Sequence, residues 1–262
     1  MALVSVTIVG IDAATEPTNV GLALGVWQSA DAPEKSPVLR LLEVEQPVGR
    51  RPPALRIAEW LAGEGPFLLA LDAPLGWPQK LKGSLAGHRA GQPLNGTADE
   101  LFHRHTDDVV HARLRKRPLE VGANLIARTA HSALRLLEEV RRSFEIPLAW
   151  SNHEFSDPAA ARAIEVYPAA TLLARRWPAT GYKGNKPGEL QTRTRIAACL
   201  AAEVETTERA QEVMRRYADA LDAGLCVLAA GDFLAGHAQG PSQEEEQVAI
   251  QEGWIWVRQG RG

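Results

Sequence analysis

"VTIVGIDAAT", residues 6–15, decides how this chain is read. Val6, Thr7, Ile8, Val9 and Ile11 follow one another with little polar alternation, the pattern of a strand covered on both faces and so central in its sheet. The run ends in Asp12, and a carboxylate at the tip of a buried strand needs a partner for its charge.

Working outward, "VGLALGVWQ" (20–28) and "VLRLLEVEQP" (38–47) read as two more strands. The polar "SADAPEKSP" between them suits a hairpin loop, so the first three strands form an antiparallel meander. "PPALRIAEWLAGEG" (52–65) reads as a short helix opened by its prolines and closed near Gly63. "FLLALDAPLGWP" (67–78) is another buried strand, and it too delivers an acid, Asp72. Between about 79 and 161 the pattern changes to a helical insertion, with a Gly-rich loop at 82–100 and a long amphipathic helix at 119–143. "ARAIEVYPAATLL" (161–173) is a strand carrying Glu165 and halted by Pro168. Helices over about 190–204 and 208–232 follow, then an acidic linker, "GPSQEEEQ", and a closing edge strand, "GWIWVRQ". No internal repeat is visible. The expected fold is α/β, a mixed sheet of meander and parallel strands flanked by helices, in one domain over residues 1–262.

Composition agrees with a packed core: of 262 residues, 45% are hydrophobic and 23% charged. A formal net charge of -3 argues against a polybasic coat for nucleic acid or membrane, so any anionic partner must be held by a local patch or by metal ions. Cys199 and Cys226 lie in Ala/Leu-rich helical stretches without metal-ligand spacing and read as buried reduced thiols. The opening "MALVSVTIVGID" lacks a basic leader and a cleavage site, and Asp12 comes too early for a spanning helix, so the expected location is the cytoplasm, away from membranes.

The acids carry the chemistry. If the strands ending in Asp12 and Asp72 are adjacent and parallel, joined by a right-handed crossover through the helix between them, the two carboxylates meet at neighbouring strand tips. Repulsion there raises one pKa unless a cation intervenes. In "YADALDAGLCVLAAG" (217–231), Asp219 and Asp222 stand three apart, about 60° from one another around a helix. Asp222 lies nearer the apolar stripe and is the better buried ligand. Such hard oxygen donors suit Mg²⁺ or Mn²⁺, and two ions about 3.5–4 Å apart would support phosphodiester cleavage.

"GIDAAT", "LDAPLGWP", "RHTDDV", "VGANLIARTAHSALRLL", "IEVYPAATL", "GYKG", "YADALDAGLCVLAA" and "EGWIWV" together resemble the family called domain of unknown function 429, described as predicted nucleases of the ribonuclease H-like fold. The acid positions are similar to those of the Holliday-junction-resolvase branch of that superfamily. The resemblance implies a ribonuclease H-like sheet, metal binding by Asp12, Asp72, Asp219 and Asp222, and Glu165 beside them on the next strand. Resolvases of the superfamily often carry glutamate where this chain has the shorter Asp72, and the "YA" before the helical pair adds no ligand.

Each acid also has an ordinary reading. Asp12 and Asp72 could cap turns, the helical pair could lie on a solvated face, and Glu165 could be buried against an Arg or Lys. "FHRHTDDVVHARLRKRP" (102–118) supplies Arg104, Arg113, Arg115, Lys116 and Arg117, either a solvated helix face or a basic patch for phosphate, and "GYKG" supplies Lys183 as a further candidate phosphate contact; Arg104 could instead pair with Asp107 near the cleft. Trp254 and Trp256 read as packing residues. The sequence reading is therefore a metal-dependent phosphodiesterase acting on DNA or RNA. Its rivals are an actin-like ATPase or phosphotransferase, for which "LAAGDFLAGHAQG" (228–240) is a poor adenosine loop, and a binding module without turnover.

Overall fold

The chain is described by a computed structural model covering residues 4–30, 36–45, 51–63 and 65–260. Most of the 29–37 loop, the strand end at 46–47 and the first three residues of the opening segment fall outside the described residues.

Strand β1 (Ser5–Asp12) pairs antiparallel with β2 (Gly21–Gln28), and β2 pairs antiparallel with β3 (Val38–Glu45). Helix α1 (Pro53–Trp60) then crosses over to β4 (Phe67–Asp72), which lies parallel to β1 on its other side. The long connection that follows carries α2 (Gln79–Leu85), α3 (Ala98–Phe102), α4 (His105–Leu114) and α5 (Asn124–Arg141) before β5 (Ala161–Glu165) extends the sheet parallel to β4. The chain continues through α6 (Pro168–Ala174), α7 (Pro187–Glu203), β6 (Glu205–Thr206), α8 (Glu208–Arg216), α9 (Ala218–Leu234), β7 (Ala238–Gln239), α10 (Glu246–Glu252) and β8 (Val257–Arg258). The main sheet runs β5-β4-β1-β2-β3-β6. A meander with the first strand central and the next two strands parallel to it is the ribonuclease H-like arrangement that the resemblance implied.

Both faces of the sheet are covered, which is why the central stretches of β1 and β4 are almost wholly apolar. Val6, Ile8, Leu68 and Ala70 pack on one face with Leu221, Leu225 and Leu228 of α9. Val9, Ile11, Leu69 and Leu71 pack on the other with Ile57 of α1 and Leu137 of α5. Cys226 is buried and Cys199 only partly so, and both thiols are free. Trp254 and Trp256 are buried, the latter edge-on to Phe233. No helix among the described residues is long and apolar enough to cross a membrane.

Several boundaries differ from the sequence reading. The stretch expected as loop at 82–100 holds the end of α2 and the start of α3; Thr97 and Glu100 cap α3 reciprocally, a short-range signal that its glycines masked. Pro168 opens α6 as well as ending the strand segment, because proline is well tolerated in a first helical turn. The helix expected over 208–232 is two, broken at Tyr217, whose backbone is extended at φ −123° and ψ 127°. By contrast, β4 ends at Asp72 as expected. Part of the acidic linker begins α10, and Ile255 of the closing segment bridges Glu165 in parallel at the β5 edge.

A candidate metal centre at the strand tips

Side chains alternate along a strand, so the face holding Ile8 and Ala70 also receives Asp12 and Asp72. The two are direct register partners across the parallel β1–β4 pair. Helix α9 lies on that same face, and its depth is set by glycine. A Cβ on Gly10 would overlap the Ala223 carbonyl oxygen, and one on Gly21 would overlap the carbonyl oxygen of Asp219. With no side chain at either position, the helix rests on sheet backbone and carries Asp222 to the tips of β1 and β4. The break at Tyr217 starts α9 immediately before the acids and leaves Asp219 in its first turn, where a negative charge suits the helix dipole.

Carboxylate oxygens of Asp12, Asp72 and Asp222 all lie within 4.8 Å of one another. Asp222 is fully buried; its Oδ1 accepts a 2.8 Å hydrogen bond from the Tyr182 hydroxyl, and its Oδ2 forms a 2.8 Å ion pair with Lys183 Nζ. Burial, then Asp222 and Asp72, push the Asp12 carboxyl well above its usual range. Burial, then Asp222, push Asp72 up to about 7, with Lys183 opposing. Asp219 is raised too, by burial and then by Asp222. Burial works against the Lys183 ammonium, but Asp222, Asp72 and Asp12 outweigh it and hold the lysine charged. Burial and the neighbouring Asp222 likewise keep the Tyr182 phenol protonated as a donor.

Three ionised carboxylates and one ammonium leave two negative charges, the complement of one divalent cation. The donors are all hard oxygens, and a span of 4.8 Å compares with the roughly 4–5 Å between opposite oxygens around Mg²⁺ or Ca²⁺. The residues present therefore fit a divalent ion.

The other expected site residues are placed as follows. Asp219 is half-buried one turn before Asp222, outside the group of three. Glu165 does not join them. It registers with Leu71 rather than Asp72, so alternation turns it to the opposite sheet face. There its oxygens accept from Arg104 Nη2 and Nη1 at 2.7 and 2.8 Å and from the Leu75 amide at 2.9 Å. Burial raises the Glu165 carboxyl, with Arg104 the main opposing influence. Arg104, expected as a phosphate contact, is 1% exposed, and its donors go to Asp107, Glu165 and the Glu252 carbonyl. It is thus the internal partner that its R-x-T-D spacing also allowed. Arg113 is partly buried and donates to the Arg258 carbonyl at 3.3 Å. Arg115 is exposed, in the left-handed conformation at φ 56° where α4 ends. Lys183 does reach the acids. Lys116 of the expected basic patch lines the same cavity as Asp12 and Asp72, and so do Tyr182 and Tyr167, which sequence reasoning missed. For Tyr182 the signal was adjacency to Lys183 in "GYKG".

A family model described as "Protein of unknown function (DUF429)" matches residues 26–246. No curated protein matches the chain significantly. Among solved structures, that of Thermus thermophilus RuvC is similar at 14% identity, covering 90% of this chain and 99% of its own, with a TM-score of 0.34.

Proposed function

This chain belongs to the DUF429 family, and because that family's description names no activity, we propose a function from the site itself: divalent-metal-dependent hydrolysis of phosphodiesters in nucleic acid, in the cytoplasm. The observation that carries the reading is the convergence of Asp12, Asp72 and Asp222 within 4.8 Å at the carboxyl ends of two parallel strands. Acids so close and so shielded need positive charge to be ionised together, and hard-oxygen sites of this kind hold Mg²⁺ or Mn²⁺.

In this account Asp12, Asp72 and Asp222 hold the metal, which when bound supplies Lewis-acid polarisation of a phosphoryl oxygen and a more acidic water. Tyr182 fixes the Asp222 carboxylate by donating to Oδ1. Lys183, already charged beside the acids, neutralises a non-bridging phosphate oxygen. The charge balance favours one ion in the triad with Lys183 as the second positive group; two ions would require Lys183 to withdraw or Asp219 to contribute. Asp219 sits in the first turn of α9 as a candidate for holding water near the metal. Exposed Lys116 and Arg115 are the remaining candidates for backbone phosphate contact. The segment weighed as an adenosine loop is helical through Leu234, which favours the phosphodiesterase reading over an actin-like ATPase.

The test is cleavage of single-stranded, double-stranded and branched DNA and RNA with Mg²⁺ or Mn²⁺, comparing the wild type with D12N. Metal-dependent cleavage that D12N reduces at least 100-fold is expected. Absence of cleavage of every substrate would sink the reading.

A further inference from the structure

Asp12 and Asp72 line a cavity of about 450 Å³, which the paired Arg104 and Glu165 also border. That volume falls within the roughly 300–1,000 Å³ range of small-molecule sites. Its walls away from the acids are largely apolar: Pro118, Leu119 and Ile126 come from the long β4–β5 connection, and Tyr167, Ala169 and Ala179 from the segment after β5. Leu119 is 67% exposed, a large aliphatic side chain left in water at the edge of a polar site. Tyr167 is half-buried, its phenol pushed up to about 12 by burial and then by Asp72. Lys116 and Lys183 are the lysines of the lining.

A phosphodiester alone matches only the acids, through the ion they would hold, and Lys183. The apolar remainder matches a flat ring with two faces to bury. Bases stacked in a duplex cannot offer such a ring, whereas unstacked bases are held by apolar and aromatic side chains. We propose that this cavity is a nucleobase subsite, and that the substrate is a nucleotide unit whose base is unstacked: a single strand, a strand end or a flipped position. The inference rests on the phosphodiesterase reading for the placing of the phosphate at the acids.

The test separates the two. In Mn²⁺, calorimetry compares deoxyadenosine 5′-monophosphate with deoxyribose 5-phosphate. The base should strengthen binding roughly 5- to 150-fold, the range found for single-base stacking. Ile126→Trp, which fills the cavity, and Leu119→Ser, at a position too exposed to threaten folding, should each shrink that ratio. Equal affinities in the wild type, or a ratio that survives both variants, would overturn the subsite. Cleavage of a single-stranded oligonucleotide is scored separately. Base-dependent binding without cleavage leaves the subsite standing and removes the phosphodiesterase; equal cleavage at normal and abasic positions does the reverse.

Discussion

Asp72 shows how far one side chain's chemistry is set by its surroundings. In water its carboxyl would ionise near 3.8; buried beside Asp222 and opposite Asp12 it is pushed up to about 7. Its folded form therefore keeps a proton that the unfolded chain has already released. Between about pH 4 and 7 the folded state binds more protons, so its contribution to stability, full below the unfolded value, is lost as pH rises toward 7. Asp12 and Asp219 are shifted in the same direction. Metal-free protein should thus lose melting temperature from pH 5 to pH 7, and saturating Mn²⁺ should remove most of the loss, because the ion stabilises the ionised acids. Calorimetric scans at both pH values, with and without Mn²⁺, check this; a metal-free melting temperature that rises over the interval would contradict it. Asp12 and Asp72 were legible as site candidates because each closes an apolar run. Tyr182 was not, since nothing local marks a tyrosine as the donor that holds an acid 40 positions away.

At the level of elements, the site is a consequence of alternation and of close helix–sheet approach. Glu165 shows the cost of ignoring the first. It belongs to the right strand, but a one-residue difference in register puts it on the wrong face, and register is invisible before the partner strand is known. Helix α9 shows the second. Its Ala/Leu/Gly composition announced a buried helix, while the extended break at Tyr217 that starts it beside Asp219 carries no proline or glycine to reveal it. Gly10 tests this level directly. In Gly10→Ala the new methyl meets the Ala223 carbonyl and the Val227 side chain, so α9 must lift from the sheet. Overpacking at backbone contact should cost about 3 kcal/mol. The lift also carries Asp222 away from Asp12, so Mn²⁺ affinity should fall. Urea unfolding and Mn²⁺ titration measure the two effects, and unchanged values for both would contradict the packing argument.

For the molecule as a whole, the long β4–β5 connection is tied to the sheet and to the C-terminal segment by buried charge. Arg104 at the start of α4 joins Asp107 to Glu165 of β5 and to the Glu252 carbonyl, while the Glu252 carboxylate accepts from the Gln79 and His105 amides. Burial opposes the Arg104 charge, yet Glu165 and Asp107 raise its pKa above the usual arginine range. Arg104→Met would leave two acids buried without their cation, a loss of about 3–5 kcal/mol. Lysine should restore little, having no planar fork to bridge both carboxylates. Equilibrium unfolding of the two variants checks this, and a loss under 1 kcal/mol for Arg104→Met would refute it. The meander, the crossover and the parallel strands were readable because each strand is a distinct apolar run. The α2–α3 region was less so, because short capped helices among glycines leave little periodicity.

Whether acids from β1, β4 and α9 form one divalent-cation site is read straight from anomalous diffraction of a crystal soaked in Mn²⁺. A peak in contact with Asp12, Asp72 and Asp222 together, lost in Asp222→Asn, is expected. Saturated crystals with no peak there, or with Mn²⁺ bound only elsewhere, would contradict it.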